Sequence, residues 1–199
     1  TEYELVQDKK RLQAWIDEAV AVGTVAVDTE TTSLDAMTAE LVGISMSIHP
    51  GKACYIPVAH TAPAEQTTLD LGLDDGPDKK NGGQIKQISR DEAIKLIKPL
   101  LENPSVLKIG QNMKYDAEIF ARYDIDIAPV DDTMLISYVL EGGLHGHGMD
   151  DLAELHLDHK CISFKEVAGT GKSQVTFDKV ALDAALDYAA EDADVKLRL

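Results

Sequence analysis

Val25-Ala26-Val27-Asp28-Thr29-Glu30-Thr31-Thr32-Ser33-Leu34-Asp35 reads as a buried strand that ends on two carboxylates, and the rest of the fold is organised around it. Side chains alternate faces along a strand, so Asp28 and Glu30 point the same way, with Thr29 opposite. Two like charges that converge are costly unless protonated or neutralised by a cation, and hard oxygen donors suit Mg²⁺ or Mn²⁺. The same segment also reads as a strand running into a polar loop whose Asp and Thr side chains make turn hydrogen bonds. Further carboxylates have to separate the two readings.

Upstream, Leu5, Leu12, Trp15, Ile16, Ala19 and Val20 recur at helical spacing and Gly23 closes the segment, which predicts a helix over 5–22. Downstream, the strand over 24–29 is followed by strands over 40–48 and 52–58, with Pro50-Gly51 as a turn, so an antiparallel meander is expected. Residues 59–83 collect Pro, Gly and Asp and read as a long polar loop inserted in the domain. Ser89 and Glu92 form a capping-box pattern that opens a helix ending near Leu101. A strand over 106–109, a helix over 113–123, a short strand near 127–130, a helix over 132–140 and one near 149–157 come next. The last helix is expected to start after Phe177, with Asp178 as its cap. Strands alternating with helices after a meander imply an α/β fold: a mixed central sheet, three antiparallel strands then parallel strands, flanked by helices.

The 199 residues, 44% hydrophobic and 27% charged, suffice for one sizeable core, so a single domain over 1–199 and a monomer are expected. No stretch approaches the roughly 20 apolar residues that cross a bilayer, and the N-terminus lacks a basic-then-apolar leader, which points to a cytoplasmic protein without a membrane partner. The helical pattern still runs at Leu199 without a cap, as in a fragment of a longer chain. Cys54 and Cys161 stand far apart and read as core fillers. His145, His147, His156 and His159 have no Cys partners in range, so their spacing does not make a zinc site. Gly169-Thr170-Gly171-Lys172-Ser173 resembles the end of a phosphate-binding loop, but Glu166 stands where a Gly is required and no apolar strand precedes it. It reads as a loop whose Lys172, with Lys165, could reach a nucleic-acid backbone. The formal charge of -16 opposes nucleic-acid binding by the bare chain, unless divalent ions or another domain reverse the local field.

Two more acidic positions stand out. Asp116, in Gly110-Gln111-Asn112-Met113-Lys114-Tyr115-Asp116, lies in the first turn of a helix just after a strand, where the helix dipole alone would also favour it. Tyr188 and Asp192 lie four apart on one face of the last helix among alanines, a pattern shared with a solvated helix face.

Together, Asp-x-Glu on a first strand, Asn-x-x-x-Asp entering a middle helix and Tyr-x-x-x-Asp on a last helix resemble the exonuclease motifs of the DnaQ-like superfamily, in its tyrosine-bearing subclass. Asp28-Thr29-Glu30-Thr31, Tyr55-Ile56-Pro57-Val58-Ala59-His60, Gly110-Gln111-Asn112 with Lys114-Tyr115-Asp116, Asp132-Thr133-Met134-Leu135 and Tyr188-Ala189-Ala190-Glu191-Asp192-Ala193-Asp194 extend the resemblance to the 3′-5′ exonuclease domain of bacterial DNA polymerase I over nearly the whole chain. Residues 59–83 are longer than that family leads one to expect.

The resemblance implies a ribonuclease H-like fold and hydrolysis assisted by two divalent ions, Mg²⁺ or Mn²⁺, about 3.5–4 Å apart. It implies that Asp28 bridges both ions, that Glu30 and Asp192 complete the first ion's ligands, and that Asp116 serves the second. Tyr188 with Glu30 would orient the attacking water. Leu34 corresponds to a side chain that wedges against the terminal base, Tyr115 and Phe164 to positions lining the single-strand site, and Thr29, Gln111 and Asn112 to contacts with the DNA sugar or phosphate. For Leu34 and Phe164 ordinary core packing is the alternative. The implied substrate is a single-stranded or frayed 3′ end of DNA, the implied product a nucleoside 5′-monophosphate, and the implied partner a polymerase domain in the same full-length chain. The competing readings are a catalytically silent DNA-holding module and a ribonuclease of the same superfamily.

Overall fold

The computed structural model describes residues 1–61 and 85–199. Most of the polar loop expected over 59–83 therefore lies outside the described residues. The chain forms strands β1 (Glu2–Leu5), β2 (Thr24–Thr31), β3 (Leu41–His49), β4 (Lys52–Pro57), β5 (Leu107–Gly110) and β6 (Val130–Asp132). The helices are α1 (Lys9–Val22), α2 (Arg90–Leu101), α3 (Met113–Ala121), α4 (Thr133–Glu141), α5 (Met149–Leu157), α6 (Phe164–Ala168) and α7 (Leu182–Arg198).

The strands make one mixed sheet in the order β1-β4-β3-β2-β5-β6. β2, β3 and β4 pair antiparallel, while β5 runs parallel to β2 and β6 parallel to β5, as expected. β2 is central, and its alternation sorts the molecule into two layers. Val25 and Val27 join a core with Trp15 and Ile16 of α1, Ile97 and Leu101 of α2 and Phe120 of α3. On the opposite face a smaller core joins Tyr55, Phe177, Ala185 and Ala189 beneath α7. Gly43, beside Glu30 in the ladder, lets Tyr55 lie flat there: a Cβ on Gly43 would fall 2.1 Å from the Tyr55 hydroxyl.

Four local expectations are corrected. The first helix does not begin at Leu5: Glu2–Leu5 pairs in parallel with β4 at the sheet edge, and Asp8 caps α1 by accepting the Arg11 N–H at 2.9 Å. Leu5 happened to fit the helical spacing. Ser89 stands at the N-cap of α2 as expected, but the capping box does not form: its hydroxyl is donated to the Glu92 carboxylate at 2.8 Å rather than accepting a backbone N–H. β6 begins only at Val130, after the 127–129 stretch. Asp178 sits in a 3₁₀ turn, Phe177–Lys179, where its carboxylate accepts from the Thr61 hydroxyl at 2.9 Å, and α7 starts at Leu182 instead.

Asp132 ties two helix N-termini together. Its Oδ1 accepts the N–H groups of Asn112 at 3.1 Å and Met134 at 2.9 Å, and Oδ2 accepts the Met113 N–H at 2.9 Å. One carboxylate thus fixes the starts of α3 and α4, and with α3 the position of Asp116. Asp132→Ala leaves these donors without a partner and is expected to destabilise the chain by about 2–4 kcal/mol in urea denaturation.

Candidate active site

β2 delivers Asp28 and Glu30 to the face covered by α7, and α7 returns Asp192 to them: ligand oxygens of Asp28, Glu30 and Asp192 lie within 4.8 Å of one another. Asp116 approaches from the first turn of α3, where its Oδ1 accepts the Thr29 N–H at 3.0 Å and the Thr29 hydroxyl at 2.5 Å. The alternation that turns Asp28 and Glu30 to one face thus places Thr29 to hold the fourth carboxylate.

Burial makes this cluster demanding. Glu30, Asp116 and Asp192 are all buried, and Glu30 Oε1 and Asp192 Oδ1 accept no hydrogen bond among the described residues. The neighbours of Asp192 on α7 do have partners. Glu191 accepts from His159 Nε2 at 2.9 Å and from the Ile162 N–H at 2.6 Å. Asp194 accepts the Gly51 N–H at 2.6 Å and the Tyr3 hydroxyl at 3.1 Å. Burial first, then the charges of Asp28 and Asp192, pushes Glu30 well above the ordinary carboxylate range, and burial with Asp28 does the same to Asp192. Asp116 is pushed up to about 7 by burial and the Asp28 charge. Desolvated carboxylate oxygens without donors, all acidic and all converging, are the donor set of a hard divalent cation, so the residues present fit such an ion.

One cation of the chain already reaches the cluster. Lys196, one turn beyond Asp192, is buried and its ammonium pairs with Asp28 Oδ1. Burial alone would lower its pKa, but Asp28, Asp116 and Asp192 outweigh that and hold it above the usual lysine value. Sequence reading missed Lys196; its position four residues after Asp192 on the same helix is the available signal.

The cluster opens into a cleft of about 670 Å³ whose walls include Thr29, Leu34, Tyr115, Phe164, Phe177 and Tyr188. Leu34 is 96% exposed, which removes the core-packing alternative for it. Phe164 lies at the surface, stacked on buried Phe177 at 6.3 Å between ring centroids, and Tyr188 packs edge-on to Phe164 at 6.2 Å. The Tyr115 hydroxyl is donated to the Ser33 carbonyl at 2.5 Å and lies 2.6 Å from the Thr31 hydroxyl, so it braces the loop that carries Leu34. Burial, then Asp192, Glu30 and Asp28, pushes the Tyr188 phenol far up, which keeps it protonated and makes it a donor rather than a base. Gly171 brings the 169–173 loop to the cleft edge, with Lys172 exposed beside it.

Gln111 and Asn112 do not line this cleft. Gln111 Nε2 donates to the His147 carbonyl at 2.8 Å and its Oε1 accepts from Thr133, while Asn112 is the left-handed residue, φ 55°, that precedes α3. The Gln111 amide is thus engaged between the α3 and α4 segments, while Asn112 stands exposed just before α3.

The pH response follows from Asp116. A carboxyl raised in the folded state binds more protons folded than unfolded, so the stability it contributes is complete below its ordinary value of 3.8 and is lost as pH rises through about 7. In EDTA the melting temperature is expected to fall between about pH 5 and pH 7.5, and Asp116→Asn to flatten that fall. Mg²⁺ at the higher pH is expected to reverse it, since ions bind the deprotonated ligands.

The sequence profile of the 3′-5′ exonuclease family matches residues 3–199. DNA polymerase I of Rhizobium leguminosarum is 48% identical over 206 residues, a match that takes in 99% of this chain and 19% of that protein. DNA polymerase I of Pseudomonas aeruginosa is 40% identical, with 100% of this chain and 20% of the relative covered. The chain thus spans about a fifth of the length of these curated relatives. Among solved structures, Trypanosoma brucei RNase D superposes with a TM-score of 0.70 at 15% identity, over 99% of this chain and 62% of that one. This likeness is one of fold, and the fold is ribonuclease H-like.

Proposed function

Because the chain belongs to the 3′-5′ exonuclease family of DNA polymerase I, we propose that its carboxylate cluster hydrolyses the terminal phosphodiester of a single-stranded or frayed DNA 3′ end and releases a nucleoside 5′-monophosphate. The observation that carries this reading is the pair of buried oxygens, Glu30 Oε1 and Asp192 Oδ1, that have no hydrogen-bond partner among the described residues, beside Asp28 at the base of an open cleft.

Asp28, Glu30 and Asp192 would hold one divalent ion, and Asp28 with Asp116 a second. Bound there, Mg²⁺ or Mn²⁺ supplies activation of water and stabilisation of the leaving oxygen. The chain's own groups do the rest. Thr29 fixes Asp116, and Lys196 reduces the repulsion around Asp28. Tyr188, locked as a phenol against Phe164 and Phe177, donates a hydrogen bond and with Glu30 orients the attacking water in line with the scissile bond.

Leu34 and Phe164 give a mechanism for reading an end without reading its sequence. An exposed leucine wedges against the last base and an exposed phenylalanine offers a stacking face, worth about 1–3 kcal/mol per base. Mispaired ends unpair more cheaply and so enter more often, which is proofreading. In the full-length protein a polymerase region would deliver such ends and supply the basic surface that a chain of charge -16 lacks. Among the described residues no helix is long and apolar enough to cross a membrane.

The test is a 5′-labelled DNA with a 3′ mismatch, incubated with the chain in Mg²⁺ or Mn²⁺ beside an RNA of the same sequence. Stepwise shortening of the DNA from its 3′ end, stopped by EDTA, is expected. Shortening of RNA alone would assign the ribonuclease reading, and an inert folded chain in both metals the silent-module reading.

A further inference from the structure

The geometry points to a second metal site, made by Glu141, His145 and His156 at the junction of α4 and α5, that takes a zinc-type cation. The cysteine next along the sequence, Cys161, groups with His159 and Glu191 rather than with this pair of histidines. The fold supplies a carboxylate instead, at the last residue of α4.

One nitrogen of the neutral His145 ring carries hydrogen, and its surroundings decide which. Its Nδ1 lies 2.6 Å from the Gly146 carbonyl oxygen, which only accepts, so Nδ1 is the donor. The neutral ring then turns the Nε2 lone pair toward Glu141 Oε2, 2.9 Å away, and His156 Nε2 approaches the same oxygen at 3.4 Å. A lone pair facing a carboxylate oxygen is repulsive until a proton or a metal ion stands between them. A proton answers for one ring: the Gly146 carbonyl and then Glu141 raise the pKa of His145.

A cation answers for all three groups at once. Ligand atoms 2.0–2.1 Å from a tetrahedral zinc lie about 3.3 Å from one another, close to the spacings around Glu141 Oε2. The Nδ1–H bond to a backbone carbonyl is the orienting bond that metal-bound imidazoles make. Two imidazoles and one carboxylate leave a fourth position for water, and a cleft of about 380 Å³ opens beside Glu141 and His156. Imidazole donors favour Zn²⁺ over Mg²⁺, whereas the all-oxygen cluster at Asp28 favours Mg²⁺, so the two sites sort ions by donor type.

The α4–α5 connection shows what the ion would do. Residues 142–148 contain four glycines, Gly142, Gly143, Gly146 and Gly148, and so lose much backbone entropy on ordering. An ion joining His145 within that loop to α4 and α5 closes it. His147 flanks the site but is engaged elsewhere, its Nδ1 2.8 Å from the Ser137 hydroxyl.

The 199-residue chain is titrated with zinc chloride by calorimetry in excess Mg²⁺, and Co²⁺ binding is followed by visible absorption. One zinc equivalent of micromolar affinity or better, the absorption of four-coordinate Co²⁺ and a zinc-dependent rise in melting temperature are expected. His145→Ala and His156→Ala should each weaken zinc binding about tenfold or more, whereas His147→Ala and Asp192→Asn bind as the parent does. Mg²⁺-dependent nuclease activity should be unchanged in His156→Ala. Zinc binding that survives His145→Ala and His156→Ala but is lost in Asp192→Asn would overturn the proposal, as would no binding and no Co²⁺ absorption in the parent chain. Neither result bears on the nuclease reading, which is tested in Mg²⁺ or Mn²⁺ without zinc.

Discussion

Asp192→Asn is expected to lower exonuclease activity by roughly three orders of magnitude or more while making the metal-free protein more stable. The opposite signs share one cause. Asp192 is buried with an oxygen that none of the described residues donates to, and burial together with Asp28 disfavours its charged form. Replacing it with a neutral isostere removes a like-charge repulsion, about 1–2 kcal/mol or roughly 2–8 °C in Tm for a chain of this size. It also removes a ligand that no neighbour can replace, since Glu191 and Asp194 are committed to His159 and Gly51. Thermal unfolding in EDTA and in Mg²⁺ checks the account: the parent is expected to gain from Mg²⁺, the variant to gain little. A buried aspartate with a purely structural role predicts a loss of stability instead.

Asp28→Asn is expected to inactivate as well, but to destabilise by about 3 kcal/mol, because it leaves the Lys196 ammonium buried without its closest partner. Adding Lys196→Met should restore most of the stability and none of the activity, a coupling that a double-mutant cycle in urea measures directly. Lys196→Met alone leaves Asp28 unpaired until an ion binds. Its metal-free Tm is expected to fall and the Mn²⁺-induced rise in Tm to grow. If Lys196→Met leaves both unchanged, Lys196 does not share the ions' ground.

Much of this arrangement was legible in the chain because it depends on short periods. Strand alternation puts Asp28 and Glu30 together, and helical spacing puts Tyr188 and Asp192 on one face. The meander followed by strand-helix alternation gave the mixed sheet. What was not legible depends on contacts between distant segments. Lys196 reads as one more charge on an acidic helix until β2 is laid against α7. Glu141 reads as a helix end until α5 folds back with His156. Leu5 matched a helical period by accident, and only pairing with β4 makes it strand. Gln111 stands beside the middle motif in sequence, yet Thr133 and His147 draw its amide into the scaffold. Leu34 ran the other way: its apolar character argued for the core, and only the family resemblance placed it at the open cleft where the fold exposes it.

The most direct measurement is anomalous diffraction from crystals soaked in Mn²⁺ with a short single-stranded DNA. Manganese is expected between the carboxylates of Asp28, Glu30 and Asp192, with a second peak toward Asp116 and the 3′-terminal base against Leu34 and Phe164. DNA bound elsewhere, or a chain that shortens DNA while those carboxylates hold no manganese, would contradict this assignment.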